Sequence, residues 1–200
     1  MSKAIAVVVM AVLAFPACGG DDAPAGQDAP ATMEEAVAQA SEAIRAQTGD
    51  VEPISAEALQ ERLPENVGGL ERVDVSRTES GAMGMKVSAT NARYEGDEGR
   101  SVTIAISDIG GMGSMGAMGA AAWAMTEFDR TTQTGYDRTS RFDGFKAMES
   151  LSRDGGRLRT ELSIIVGERF LVQMEGREVE MDVLKDAARR LRLRDLEDEG

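Results

Sequence analysis

The sequence predicts an α+β fold: an antiparallel sheet of about seven strands packed with two helices and preceded by N-terminal helical segments. Three observations predict it. From Leu70 onward, apolar residues recur at every second position over runs of strand length. Gly- and Asp-rich turns separate those runs, and two stretches change to helical spacing. Strands joined by short turns must run antiparallel, and a helix with an apolar stripe needs a sheet face to cover.

The chain opens MSKAIAVVVMAVLAFPACGG, with Lys3 followed by an unbroken apolar run from Ala4 to Phe15. Such a run is too short to anchor a helix across a bilayer and suits a secretory leader, so residues 1–17 are set apart from the fold. Phe15-Pro16-Ala17-Cys18 resembles a bacterial lipobox. The resemblance implies that Cys18 is acylated, becomes the first residue of the mature protein and ties it to membrane lipid. Gly19 stands where an inner-membrane-retained lipoprotein often carries Asp, so the resemblance favours the outer membrane, facing the periplasm. The alternative is ordinary cleavage, for example after Ala25 in Ala23-Pro24-Ala25, which would release a soluble protein. Cys18 is the only Cys, and an exported domain with one thiol cannot close an internal disulfide. Several acyl chains, each contributing about 0.8 kcal/mol per buried CH₂, would hold the protein durably.

Residues 18–31 read as a flexible lipidated tether of Gly, Ala, Pro and Asp with a reach of about 20 Å. Thr32-Met33-Glu34-Glu35 matches a capping box and predicts a helix to Gln47, with Val37 and Ile44 as its only large inward residues. A shorter helix is expected from Ser55 to Leu63, ended by Pro64; together these make an N-terminal helical segment over residues 32–64. The sandwich domain is expected over residues 65–195, with an acidic tail at 196–200.

Within the domain, Val73 and Val75, then Met83, Met85, Val87 and Ala89, then Val102, Ile104 and Ile106 predict three strands of a meander, the last two separated by the turn Glu95–Gly99. The Gly-Met stretch and AAAWAMTEF follow as a helix to about Phe128. Asp143-Gly144 between GYDRTSRF and FKAMESLS is a two-residue hairpin signal. Asp154-Gly155-Gly156 and Gly167-Glu168 predict the next two turns. Leu158, Thr160, Leu162, Ile164 and Val166 alternate inward, as do Phe170, Val172 and Met174. Val183, Leu184, Ala187, Ala188 and Leu191 fall at helical spacing and close the domain.

The stretches LPENVGGLERV, MGMKVSATNARYEG, VTIAISDIGG and DGFKAMES resemble a family of uncharacterised exported proteobacterial lipoproteins, over roughly Leu63 to Leu193. More loosely, the strand order and the closing GERFLVQMEG…LKDAARRL are similar to PsbP-like α/β sandwich lipoproteins. The resemblance implies fold and compartment and no particular activity.

Charge and composition exclude several functions. The net charge is −13, and loss of a leader containing Lys3 makes it more negative, which disfavours nucleic acid and anionic lipid surfaces. The one basic cluster, Ala188 to Arg194, ends a helix, where the dipole favours cations. Histidine is absent, which removes the commonest general base and the usual zinc and copper(II) ligand. The composition calls for no cofactor.

Asp108–Met125 reads DIGGMGSMGAMGAAAWAM, with Met112, Met115 and Met118 spaced by three. Clustered thioethers suit soft cations such as Cu(I) or Ag(I), so these three are the candidate metal ligands, within a Met-rich segment 112–125. The opposing expectation is packing: Met115, Met118, Ala122 and Met125 form one stripe on a helix over the sheet, and the glycines allow close approach. Amides at Gly110-Gly111 are a weak anion candidate, without the Lys-Ser or Lys-Thr pair of a P-loop. Asp97, Glu98, Asp108, Asp137 and Asp143 are the carboxylates available for catalysis, mostly beside Gly in turns, where they bond their own backbone. The loop Glu95–Gly99 holds three acids without the EF-hand pattern. Tyr136, Arg138 and Ser140 alternate on one strand and can line a polar pocket. No recognisable catalytic set is present, so the expected function is non-enzymatic: an envelope lipoprotein that binds an envelope protein partner or assists assembly. Soft-metal binding is the alternative.

Overall fold

A computed structural model describes residues 51–82 and 85–199. The expected leader, Cys18, the tether, the helix over 32–47 and Met83 lie outside these residues. The described residues form one nine-stranded antiparallel sheet with a few short helices, not an α+β sandwich of about seven strands packed with two helices. The strands are β1 (Asn66–Val67), β2 (Leu70–Ala82), β3 (Met85–Glu95), β4 (Ser101–Asp108), β5 (Asp129–Thr131), β6 (Gly135–Phe142), β7 (Phe145–Asp154), β8 (Arg157–Val166) and β9 (Phe170–Arg177). The helices are α1 (Ala56–Glu61), α2 (Ser114–Met125), α3 (Met181–Arg190) and α4 (Leu193–Glu197). Sheet order is β1-β2-β3-β4-β9-β8-β7-β6-β5, so two meanders meet where β4 pairs with the last strand, β9. The two strands beyond the expected seven, β1 and β5, are two and three residues long, too short to carry an alternating pattern.

One face of the sheet is the core. Val102, Ile104 and Ile106 of β4, Phe170, Val172 and Met174 of β9, and Leu158, Leu162, Ile164 and Val166 of β8 are buried there. Each such side chain contributes about 1.5–3 kcal/mol. Helix α3 lies on β8 and β9 and buries Met181, Leu184, Ala187 and Ala188, while Leu193 and Leu196 of α4 carry the core on to the C-terminal end. Helix α1, capped by the Ser55 hydroxyl accepting from the Ala58 amide at 3.2 Å, buries Ala56 and Leu59 against β2 and β3.

The three expected turns form. Asp143 and Gly144 adopt φ of 55° and 95° in the β6–β7 hairpin, the positive values that a two-residue loop requires. Gly155-Gly156 and Gly167-Glu168 close the next two hairpins.

The first meander departs from its sequence pattern. Val73 is the extra residue of a bulge between Arg72 and Asp74 and is exposed, so it does not enter the core with Val75. In β3 the inward residues are Ser88, Thr90, Ala92 and Tyr94, and Val87 and Ala89 face the opposite way. The neighbouring ladder decides this: Ile104 lies opposite Ala92 and Val102 opposite Tyr94, and a one-residue slip would turn Tyr94 out of the core. The polar residues so buried are satisfied locally. Ser88 donates to the Ile54 carbonyl, Thr90 to the Ser76 carbonyl at 3.3 Å, and the Tyr94 hydroxyl to the Pro64 carbonyl at 2.7 Å.

Beyond its short pairing with β1, β2 is an edge strand. Its side chains there include Asp74, Arg77 and Glu79, and the bulge twists it away from regular pairing, two devices that discourage edge-to-edge association.

Gly176 of β9 sits where the chain after the strand folds back over the sheet. A Cβ there would come within 2.4 Å of both Thr160 Oγ1 and Val179 Cγ2 and 3.4 Å of Leu184 Cδ2. Gly176→Ala is expected to cost about 1–3 kcal/mol, read as a lower urea midpoint with an unchanged m-value; an unchanged midpoint would refute this packing account.

Candidate functional site

Among the sequence candidates, Asp108 has the most complete surroundings. It ends β4 on the core face with no solvent exposure. Its Oδ1 accepts from the Gly110 amide at 2.9 Å and from Arg169 Nε at 2.9 Å, and its Oδ2 from the Ile54 amide and from Arg169 Nη2, both at 2.8 Å. This fork geometry matches carboxylate to guanidinium. Arg169 also donates to the carbonyls of Glu52 and Glu199, at 3.0 and 3.1 Å. One ion pair thereby gathers the incoming segment, the end of β4, the start of the Gly-Met stretch and the C-terminal end. The Gly-Gly pair has its explanation here: a Cβ on Gly110 would lie 2.8 Å from Arg169 Nε, and one on Gly111 would lie 2.4 Å from the Lys86 carbonyl and 2.9 Å from Pro53 Cγ. Asp108 is fully occupied in holding the fold.

A second cluster lies on the core face toward the β5 edge of the sheet. Glu149 of β7, 2% exposed, faces Arg138 and Ser140 of β6 and Lys185 of α3. Its Oε2 accepts from Arg138 Nη2 at 2.8 Å; its Oε1 accepts from the Ser140 hydroxyl at 2.6 Å and pairs with Lys185 Nζ at 2.9 Å. The Arg138 guanidinium also lies 4.5 Å from the centre of the Tyr136 ring. Tyr136, Arg138 and Ser140 thus do share one polar patch, with an acid at its centre that the sequence reading missed. Its signal was available: in FKAMESLS, Glu149 occupies the same phase as Phe145, Ala147 and Leu151. Burial alone would raise its pKa, but the hydrogen bonds from Ser140, Arg138 and Lys185, with the Lys185 charge, outweigh that and hold it below the ordinary carboxylate value.

The Gly-Met stretch divides into a 3₁₀ turn, Gly110–Met112, and α2. Met112 is half-buried in the turn and so does not share the helix face with Met115 and Met118, as even spacing suggested. The packing expectation is overturned: Met115, Met118 and Met125 are 58%, 72% and 85% exposed. Among the described side chains of the helix only Gly116 and Ala120 are buried, and a Cβ on Gly116 would lie 2.8 Å from the Ile109 carbonyl. At its C-terminal end, Trp123 and Phe128 roof a hollow of about 380 Å³ whose lining includes Asp137, Met148, Ser150 and Glu161 on the face opposite the core. Ser150 donates to Asp137 Oδ1 at 2.6 Å, and Lys146 Nζ donates to the Ala124 carbonyl at 2.7 Å, tying the helix end to β7.

The remaining acids are not brought together. Asp97 and Glu98 lie exposed in the 3₁₀ turn after β3, and Asp143 is exposed in the hairpin. Among the described residues no group of three or more Cys, Asp or Glu is placed to hold a metal ion. No described helix is long and apolar enough to cross a membrane. Comparison with protein-family models, with curated proteins and with solved structures found no match.

Two outcomes follow from the ion pairs. Asp108→Ala strands the half-buried Arg169 guanidinium and the Ile54 and Gly110 amides, and is expected to cost about 3–5 kcal/mol, measured by chemical denaturation. For Glu149 the folded-state pKa is depressed, so its contribution is present above the unfolded carboxylate pKa and lost as pH falls through the folded value. Denaturation curves at neutral and acidic pH should show wild type losing more stability in acid than Glu149→Gln; equal losses would refute the assignment.

Proposed function

We propose that the chain is a bacterial envelope lipoprotein, acylated at Cys18, held on the periplasmic side of the outer membrane, and engaged in a non-enzymatic binding or accessory role toward an envelope protein. The observation that carries the binding role is the sheet face opposite the core. At its centre Ser101, Thr103, Ala105 and Ser107 of β4 are all half-exposed, flanked by exposed Asn91 of β3 and Gln173 of β9. Short side chains on a broad sheet let a partner's backbone come close. Arg93, Glu175, Arg177, Glu161 and Arg159 border this strip with both signs of charge, which sets register and partner choice more than affinity.

The buried carboxylates favour binding over catalysis. Asp108 and Glu149 each engage both oxygens with cations and other donors, and a general acid or base would have to shed those partners before moving a proton. The net charge of −13 disfavours nucleic acid as the partner.

The acylation half of the reading is tested by Cys18→Ser. The variant is expected in the soluble envelope fraction, with wild type in the membrane fraction; unchanged membrane association of the variant would refute it.

A further inference from the structure

We propose that α2, with Phe128 beyond it, lies on the lipid bilayer surface to which the chain is tethered. This rests on the acylation reading above and adds a second contact to it. From Ile109 to Thr126 there is no charged residue, in a chain of which 28% of residues are charged. A helix apolar all round belongs in an apolar environment, yet Met115, Met118 and Met125 project into solvent, and Phe128, three residues past the helix, is 41% exposed. Unbranched thioether chains adapt to a surface without fixed shape.

Two observations select lipid as the occupant. The net charge of this chain is −13, whereas the uncharged α2 offers a bilayer an approach free of like-charge repulsion. The chain that leads back to Cys18 also meets the domain at the start of this segment: Pro53 abuts Gly111, and the Ile54 amide donates to Asp108 just before Gly110. The chain that carries Cys18 therefore enters the domain beside α2. Trp123, the single tryptophan, sits on the same helix with its Nε1 unpartnered among the described residues.

The test uses methionine oxidation in the full mature chain. Acylated protein is placed on phosphatidylcholine vesicles, the Cys18→Ser chain is kept free in buffer, and both are treated with peroxide and read by peptide mass spectrometry. Met115 and Met118 are expected to form sulfoxide severalfold more slowly on vesicles, and brominated acyl chains should quench Trp123 emission there. Equal oxidation in the two samples, with Trp123 unquenched, overturns the proposal. Protection already present in the free Cys18→Ser chain also overturns it, and assigns the helix to a second copy, if dependent on concentration, or to the chain's own residues 32–47. Mass measurement of the mature N-terminus separates the two failures. An unacylated Cys18 removes the anchoring reading itself, and acylated Cys18 with unprotected methionines removes only the role of α2.

Discussion

The Asp108–Arg169 pair is the constraint on which the arrangement of this domain depends. A nine-stranded sheet made of two meanders needs something to fix its ends to the segments that run over it, and hydrophobic burial, being non-directional, cannot choose among nearby positions. A buried fork between carboxylate and guanidinium can, because its donors and acceptors are set in angle as well as distance. Four stretches far apart in sequence converge on it: Glu52–Ile54, Asp108–Gly110, Arg169 and Glu199. The two glycines after Asp108 follow from the same constraint, since a side chain on either would collide with what the pair draws in.

The Glu149 cluster does comparable work at the opposite side of the sheet. There a buried carboxylate held ionised by Arg138, Ser140 and Lys185 ends the apolar layer without leaving an uncompensated charge. Helix α3 is bound to the sheet at one end by Met181 and Leu184 and laterally by Lys185, which mixes apolar and ionic attachment in a helix of ten residues.

Much of the second meander was legible in the sequence, because its turns carry Gly or Asp at positions requiring positive φ and its inward residues are mostly aliphatic or aromatic. The first meander was legible in element type and wrong in detail. Apolar residues at Met85, Val87 and Ala89 outvoted the true inward set of Ser88, Thr90, Ala92 and Tyr94, since local pattern carries no information about which neighbour fixes the register. The fold class erred through α2: uncharged helical sequence reads as core, and only coordinates reveal that its methionines are left outside. Tyr136, Arg138 and Ser140 are legible as a polar stripe; the phase of Glu149 with Phe145, Ala147 and Leu151 marks it as inward, but its partners Arg138 and Lys185 lie on other elements and only the fold supplies them. Asp108 was picked out for chemistry and serves architecture, and its partner, 61 positions away, had no sequence signal.

The convergence of Glu52 and Glu199 on Arg169 has a mechanical meaning. A pull transmitted through residues ahead of Val51 arrives first at the Glu52 carbonyl and the Ile54 amide, which are clamped to the end of a central strand and, through the same guanidinium, to the last residues of the chain. Load is thus taken up at one rigid knot, and the hairpins further along the sheet are not peeled open one by one.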